Sequence, residues 1–182
     1  MRSARNEVAP HGVLLPGFNG SANQPVLLRI AAALEERGLS GLRMALPRGR
    51  PSPGLAREQA ALFGVVTAES FLVGRSFGGR VAARYAVAHG ARAVVLVGFP
   101  IRPPGTRRPD DEAALRALRC PTLVVQNEAD PLGPLKVLKA CVTKKANVSL
   151  HVVPQSGHGL AGRRLNEAAD VIAEWLVAAL SR

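Results

Sequence analysis

Short apolar runs alternate with amphipathic stretches along this chain, and that alternation predicts a sheet interleaved with helices. Residues 13–15 (VLL) form a brief apolar run that ends at Pro16-Gly17. Across residues 25–37, Val26, Leu27, Ile30, Ala33 and Leu34 recur at helical spacing, with Pro25 suited to the first turn and Gly38 to the stop. Residues 39–46 read as a second strand, 47–54 as a Pro/Gly/Arg-rich loop and 55–65 as a second helix. Residues 71–74 predict a third strand and 77–88 a third helix, closed by His89-Gly90.

The second half repeats the rhythm. Strand 93–97 leads into the loop GFPIRPPGTRRP, then a helix over 110–119 with Asp110, Asp111 and Glu112 in its first turn. A strand at 122–126, a helix at 134–145, a strand at 148–153 and a terminal helix at 165–180 complete the pattern. Strands that are apolar on both faces and alternate with helices belong to a parallel sheet covered on both sides. The prediction is an α/β class chain: a doubly wound, mostly parallel six-stranded sheet. At 182 residues it should form a single domain over 1–182.

Composition agrees with a packed core: 47% of residues are hydrophobic and 20% charged, far from the balance of a disordered chain. No apolar run approaches the ~20 residues needed to span a bilayer. The most apolar helix candidate, residues 171–180, carries Glu174 and Trp175 in its middle. The start, MRSARNEVAP, has charge but no following apolar core, so no signal peptide is expected. These readings predict a cytoplasmic protein with no membrane partner. Cys120 and Cys141 are too few for a disulfide framework and read as reduced thiols. His11, His89, His151 and His158 form no metal-ligand pair, so neither a metal nor a cofactor is expected.

The charge is unusual, with 24 Lys+Arg against 13 Asp+Glu, or +11. Such an excess raises the question of nucleic acid, since basic contacts to phosphate supply most non-specific affinity. The distribution argues against it. Basic residues are spread along the whole chain, and aromatics are only 4%. A solvated basic surface is the simpler reading, and a small molecule the expected partner.

The sharpest chemical signal is Gly74-Arg75-Ser76-Phe77-Gly78-Gly79, a G-x-S-x-G between the apolar strand FLVG and the helix FGGRVAARYAVA. A serine on such a turn is forced into strained backbone angles that expose its hydroxyl above the sheet. Serine needs a base, and the base an orienting acid. Asp130 follows one predicted strand within NEADPLGP, and His158 follows the next within PQSGHGLAG. Asp130 could alternatively cap the next helix. Glu128 is a second-choice acid, earlier in the same loop. The oxyanion hole would use the backbone N–H of Phe77 and a second N–H from the loop Pro16-Gly17-Phe18-Asn19-Gly20, with Phe18 the candidate donor. Phe18 and Phe77 would then flank the serine, unless Phe18 is a core aromatic.

With those motifs in view, the chain resembles a small α/β-hydrolase related to the dienelactone hydrolases. More narrowly, it is similar to the bacterial branch of a family that includes a testis-expressed protein and a histone acetyltransferase subunit. The resemblance runs over residues 13–160, through LLPGFNGSANQP, GRSFGGRVA, LVGFPIRPPGT, PTLVVQNEADPLG and GHGL. It implies Ser76, Asp130 and His158 as a catalytic triad in a minimal α/β-hydrolase fold without a cap domain. Where relatives commonly have His-Gly, this chain has Pro16-Gly17. The expected activity is serine hydrolysis of small esters or thioesters through an acyl-enzyme, at a shallow, open site. The alternative is a non-catalytic interaction protein of the same fold with a basic surface.

Overall fold

The computed structural model describes residues 11–181, so the N-terminal segment read above for a signal sequence lies outside the described residues. Six strands form one sheet: β1 (His11–Leu15), β2 (Ser40–Arg43), β3 (Phe71–Arg75), β4 (Ala93–Val97), β5 (Thr122–Ala129) and β6 (Val148–Ser156). Between and after them run α1 (Pro25–Glu35), α2 (Ala56–Ala60), α3 (Phe77–His89), α4 (Pro109–Ala117), α5 (Leu135–Val142) and α6 (Gly162–Leu180). The strand order is β2-β1-β3-β4-β5-β6. Every neighbouring pair is parallel, so the expectation of a mostly parallel sheet is met in full.

Alternating side chains of each strand feed two cores. Val13, Leu15, Leu72, Val94, Leu96 and Val124 face α3, α4 and α5, while Leu14, Phe71, Val73, Val95, Leu123 and Val125 face α1 and α6. The near-continuous apolar runs of the sequence exist because both strand faces are buried. On α6, the spacing of Leu165, Ala168, Ala169, Ile172, Ala173 and Leu176 gives the helix one buried stripe. No helix among the described residues is long and apolar enough to cross a membrane.

Several element boundaries depart from the sequence reading, among them those of α2, β2 and β5. The helix expected over 55–65 is cut to Ala56–Ala60: beyond it the N–H groups of Leu62, Phe63 and Val65 bond three residues back, and Gly64 (φ 76°) takes left-handed backbone, while a 3₁₀ turn precedes it. The second strand is cut to Ser40–Arg43 at the sheet edge, where only β1 pairs with it. β5 runs three residues beyond its expected end, since Gln126, Asn127 and Ala129 still pair with β6, across an irregularity at Asn127/Ala129. Asp130 is thus the first residue after the strand, and Glu128 lies within it.

The chain steps outward from β1 to β2, then returns to the other side of β1 to place β3. Connections leaving β1 and β3 therefore diverge, and in an open α/β sheet such a switch point opens a crevice at the carboxyl ends of the strands.

Candidate active site

At that crevice the chain turns from β3 into α3 through Ser76, whose backbone sits at φ 49°, ψ −110°. A non-glycine residue there carries strain of about 1–3 kcal/mol, tolerated only where surroundings over-determine it. They do so here. A Cβ at Gly78 would stand 2.5 Å from the Leu15 carbonyl oxygen and 2.6 Å from that of Pro16. A Cβ at Gly74 would overlap the backbone of Gly78 and Gly79. Glycine at both positions lets α3 start hard against β1 and β3, and the Ser76 N–H donates to the Val97 carbonyl at 2.8 Å.

The hydroxyl of Ser76 lies 2.8 Å from Nε2 of His158. Nδ1 of the same ring lies 2.8 Å from Oδ2 of Asp130. Serine, histidine and aspartate, carried by the ends of β3, β6 and β5, form one hydrogen-bonded line. Asp130 is 3% exposed, and a buried carboxylate needs donors on every side. Oδ2 also accepts from Gln126 Nε2 at 2.8 Å, and Oδ1 from the Leu132 N–H at 2.8 Å. With the carboxylate facing Nδ1, the proton stays on that nitrogen and Nε2 is left as an acceptor. The Leu132 bond closes a local turn and caps no helix, since α5 begins at Leu135 behind Pro134 with no side-chain cap. Glu128, two residues earlier in β5, is exposed and takes no part in this line.

The histidine loop is tethered from two strands, β5 and β3. Asn127 Nδ2 donates to the carbonyls of Gly157 (2.9 Å) and Gly159 (2.6 Å). Arg75 reaches across from the turn, with one terminal nitrogen 2.6 Å from the His158 carbonyl and the other 3.1 Å from His158 Nε2. Burial pushes the Arg75 guanidinium below its ordinary value, opposed by the charge of Asp130. Ser76 and Arg75 thus converge on the same imidazole lone pair. Gly98 (φ +59°) makes room, since a Cβ there would stand 2.6 Å from an Arg75 nitrogen.

The loop after β1 is braced by Gln24, whose Oε1 accepts from the Gly17 N–H at 2.9 Å. The N–H groups of Phe18 and Phe77 donate to no described residue. Their rings meet edge to face at 5.7 Å. Phe18 is 55% exposed, so it is a mouth residue and not part of the core. Two clefts meet at Ser76, Phe18 and Leu132. A cleft of about 630 Å³ runs past His158, Leu160 and Leu165. Another, of about 310 Å³, runs past Phe77, Arg80 and Arg108.

Of the other histidines, His11 is 3.2 Å from the Val65 carbonyl and His89 packs on Phe63 and Tyr85. Sequence reasoning missed Gln24, Arg75, Gln126 and Asn127. Only the polar pair Gln126-Asn127 closing an otherwise apolar strand gave any signal.

A family model described as alpha/beta hydrolase domain matches residues 51–178. No curated protein matches the chain. Among solved structures, Est1E from Butyrivibrio proteoclasticus, with ferulic acid bound, superposes with a TM-score of 0.77 at 16% identity, covering 96% of this chain and 90% of that one. An alpha-beta serine hydrolase homologue from Coxiella burnetii gives 0.74 at 23% identity, covering 93% and 88%. A dienelactone hydrolase from Anabaena variabilis gives 0.74 at 22% identity, covering 94% and 88%.

Proposed function

The chain belongs to the α/β-hydrolase domain family, and from that premise we propose that it is a serine hydrolase cleaving small ester or thioester substrates through an acyl-enzyme. The observation that carries the reading is the unbroken line from Ser76 Oγ through His158 to Asp130, each link 2.8 Å, on a strained turn. The neighbouring structures, an esterase-like protein and a dienelactone hydrolase among them, support it at the level of fold.

Ser76 Oγ attacks the substrate carbonyl as His158 Nε2 takes its proton, and Asp130 holds the imidazolium in orientation. The carbonyl oxygen gathers charge, which the N–H groups of Phe18 and Phe77 receive; one such donor is worth about 10²–10³ in turnover. The start of α3 adds the favourable end of its dipole. His158 then returns the proton to the leaving alcohol or thiol, and the C–O or C–S bond breaks. Water enters on the His158 side, is deprotonated there, attacks the acyl carbonyl and releases the acid, with the proton going back to Ser76. Arg75 must yield the imidazole lone pair to Ser76 before attack, so it gates the base as well as bracing its loop. Both cysteines are unpaired thiols, which suits the cytoplasmic location read from the sequence.

A fluorophosphonate probe followed by mass spectrometry tests the reading. The expected product is one adduct, on Ser76. An adduct elsewhere, or none in folded protein, overturns it.

A further inference from the structure

The two clefts at Ser76 differ in what they can accept. His158 lines the larger one, and the imidazolium must hand its proton to the leaving group. The leaving group therefore lies in that cleft, among Leu160, Leu165 and Val26. The acyl portion points the other way, into the smaller cleft beyond Phe77.

That second cleft is charged. Arg80 and Arg108 line it, and Arg84 stands behind them on α3. One fully buried carboxylate, Asp111, faces the three guanidiniums. It accepts from Arg80 Nε at 2.6 Å and from Arg84 at 2.7 and 2.9 Å. The exposed Asp110 lies 3.6 Å from Arg84. Arg80 is held rigidly, by Asp111 on its Nε and by the Phe77 ring 5.6 Å beneath its guanidinium. Its two terminal nitrogens donate to no described residue. Arg108 has a single protein acceptor among the described residues, the Pro100 carbonyl at 2.8 Å, and no carboxylate within ion-pairing distance. Burial first, then repulsion by Arg80, pushes its guanidinium below the ordinary value; Asp111 opposes this and Arg84 adds to it. Positive charge is thus concentrated where the acyl group would sit, with donor nitrogens left over.

We propose that this cleft selects acyl groups that end in a carboxylate, with Arg108 and Arg80 as its receptor. The substrate class is a monoester or monothioester of a short dicarboxylic acid. The proposal rests on the serine-hydrolase reading above and adds the identity of the acyl group. Two guanidiniums with free donors can hold a carboxylate through charge-assisted hydrogen bonds. Asp111 holds Arg80 by its Nε, which leaves both terminal nitrogens of Arg80 for a ligand. Phe77 and Phe18 shape the apolar neck between the receptor and Ser76.

The test compares two esters of equal chain length, mono-4-nitrophenyl adipate and 4-nitrophenyl hexanoate. The wild-type protein should favour the adipate in kcat/KM by about ten-fold or more, the usual scale for a charged hydrogen bond. Arg108→Gln should pull the adipate-to-hexanoate ratio down by about the same factor. The wild-type ratio should also fall between about 0.02 M and 0.5 M sodium chloride, as an ionic contact requires. That arm needs no variant and decides the matter if Arg108→Gln does not fold. If the wild type cleaves hexanoate at least as well as adipate, or its adipate preference is indifferent to salt, the carboxylate receptor is overturned while the hydrolase reading stands. If neither ester is cleaved, both fall together.

Discussion

Two aspartates in this molecule share one chemistry and almost one degree of burial, yet they hold different things. Asp130 is 3% exposed and Asp111 is fully buried. Asp130 is hydrogen-bonded by neutral donors, an amide side chain, a backbone N–H and an imidazole, with the Arg75 guanidinium close enough to feel its charge. Asp111 is surrounded by guanidiniums. Removing the charge of Asp130 costs its hydrogen-bonded partners one acceptor among them, and Arg75 still donates to the His158 carbonyl. Removing the charge of Asp111 leaves Arg80 with no carboxylate partner and Arg84 with only the exposed Asp110. What a buried carboxylate does is set by whether its partners can stay without it.

Substitution can separate the two roles, and the largest effect belongs to Asp130. Asp130→Asn should cost up to ~10⁴-fold in turnover, because an amide facing Nδ1 favours the wrong imidazole tautomer. Its melting temperature should stay within a few degrees of wild type, the shift expected for about 1 kcal/mol in a chain of this size. Ester hydrolysis with calorimetry on the same sample measures both. A large fall in stability with turnover preserved would make Asp130 an anchor of its own turn and no more.

Asp111→Asn should invert the pattern. Breaking a buried ion pair from one side costs about 3–5 kcal/mol, which corresponds to a melting point lower by roughly 10 °C. Turnover of a neutral ester per folded molecule should change far less than in Asp130→Asn. Denaturant titration beside an active-site titration reads both quantities. If stability is unmoved, the guanidiniums do not depend on Asp111 and the contrast between the aspartates collapses.

The smallest effect is expected at Glu128. Glu128→Gln alters an exposed strand position, so turnover should remain within about three-fold and stability within about 0.5 kcal/mol. A loss of activity approaching that of Asp130→Asn would mean that the acid had been assigned two residues too late.

These positions also indicate what the sequence made legible. Ser76 could be read because glycines at 74 and 78 admit one local geometry, and local geometry is what sequence spacing encodes. Asp130 and His158 could be read because each closely follows a strand announced by its apolar run, although both strands continue three residues past that run. The helix over 55–65 was read too long because its apolar spacing continues past Ala60, where the backbone tightens into turns that end at left-handed Gly64. The arginines were harder still. Arg75, Arg80 and Arg108 look like any solvated cation in sequence, because a long side chain's destination depends on which distant acceptor the fold brings within reach. Asp111 is the instructive failure. It reads as a residue placed for the helix dipole, in a run with Asp110 and Glu112, and only packing of α4 on α3 singles it out.

The position of β6 has a consequence for how the protein should fail. This strand closes the sheet on one side, pairs only with β5 and is half exposed along most of its length, whereas Ser76 stands at the end of a fully enclosed strand. Edges of a sheet open at lower free energy than its centre. The loop carrying His158 leaves from that edge, so partial detachment there would dismantle the site while most helices and strands remain intact. On gradual heating, ester turnover should decline before far-ultraviolet circular dichroism registers melting. Coincident curves would indicate that the tethers from Asn127 and Arg75 bind the edge into the same cooperative unit as the core.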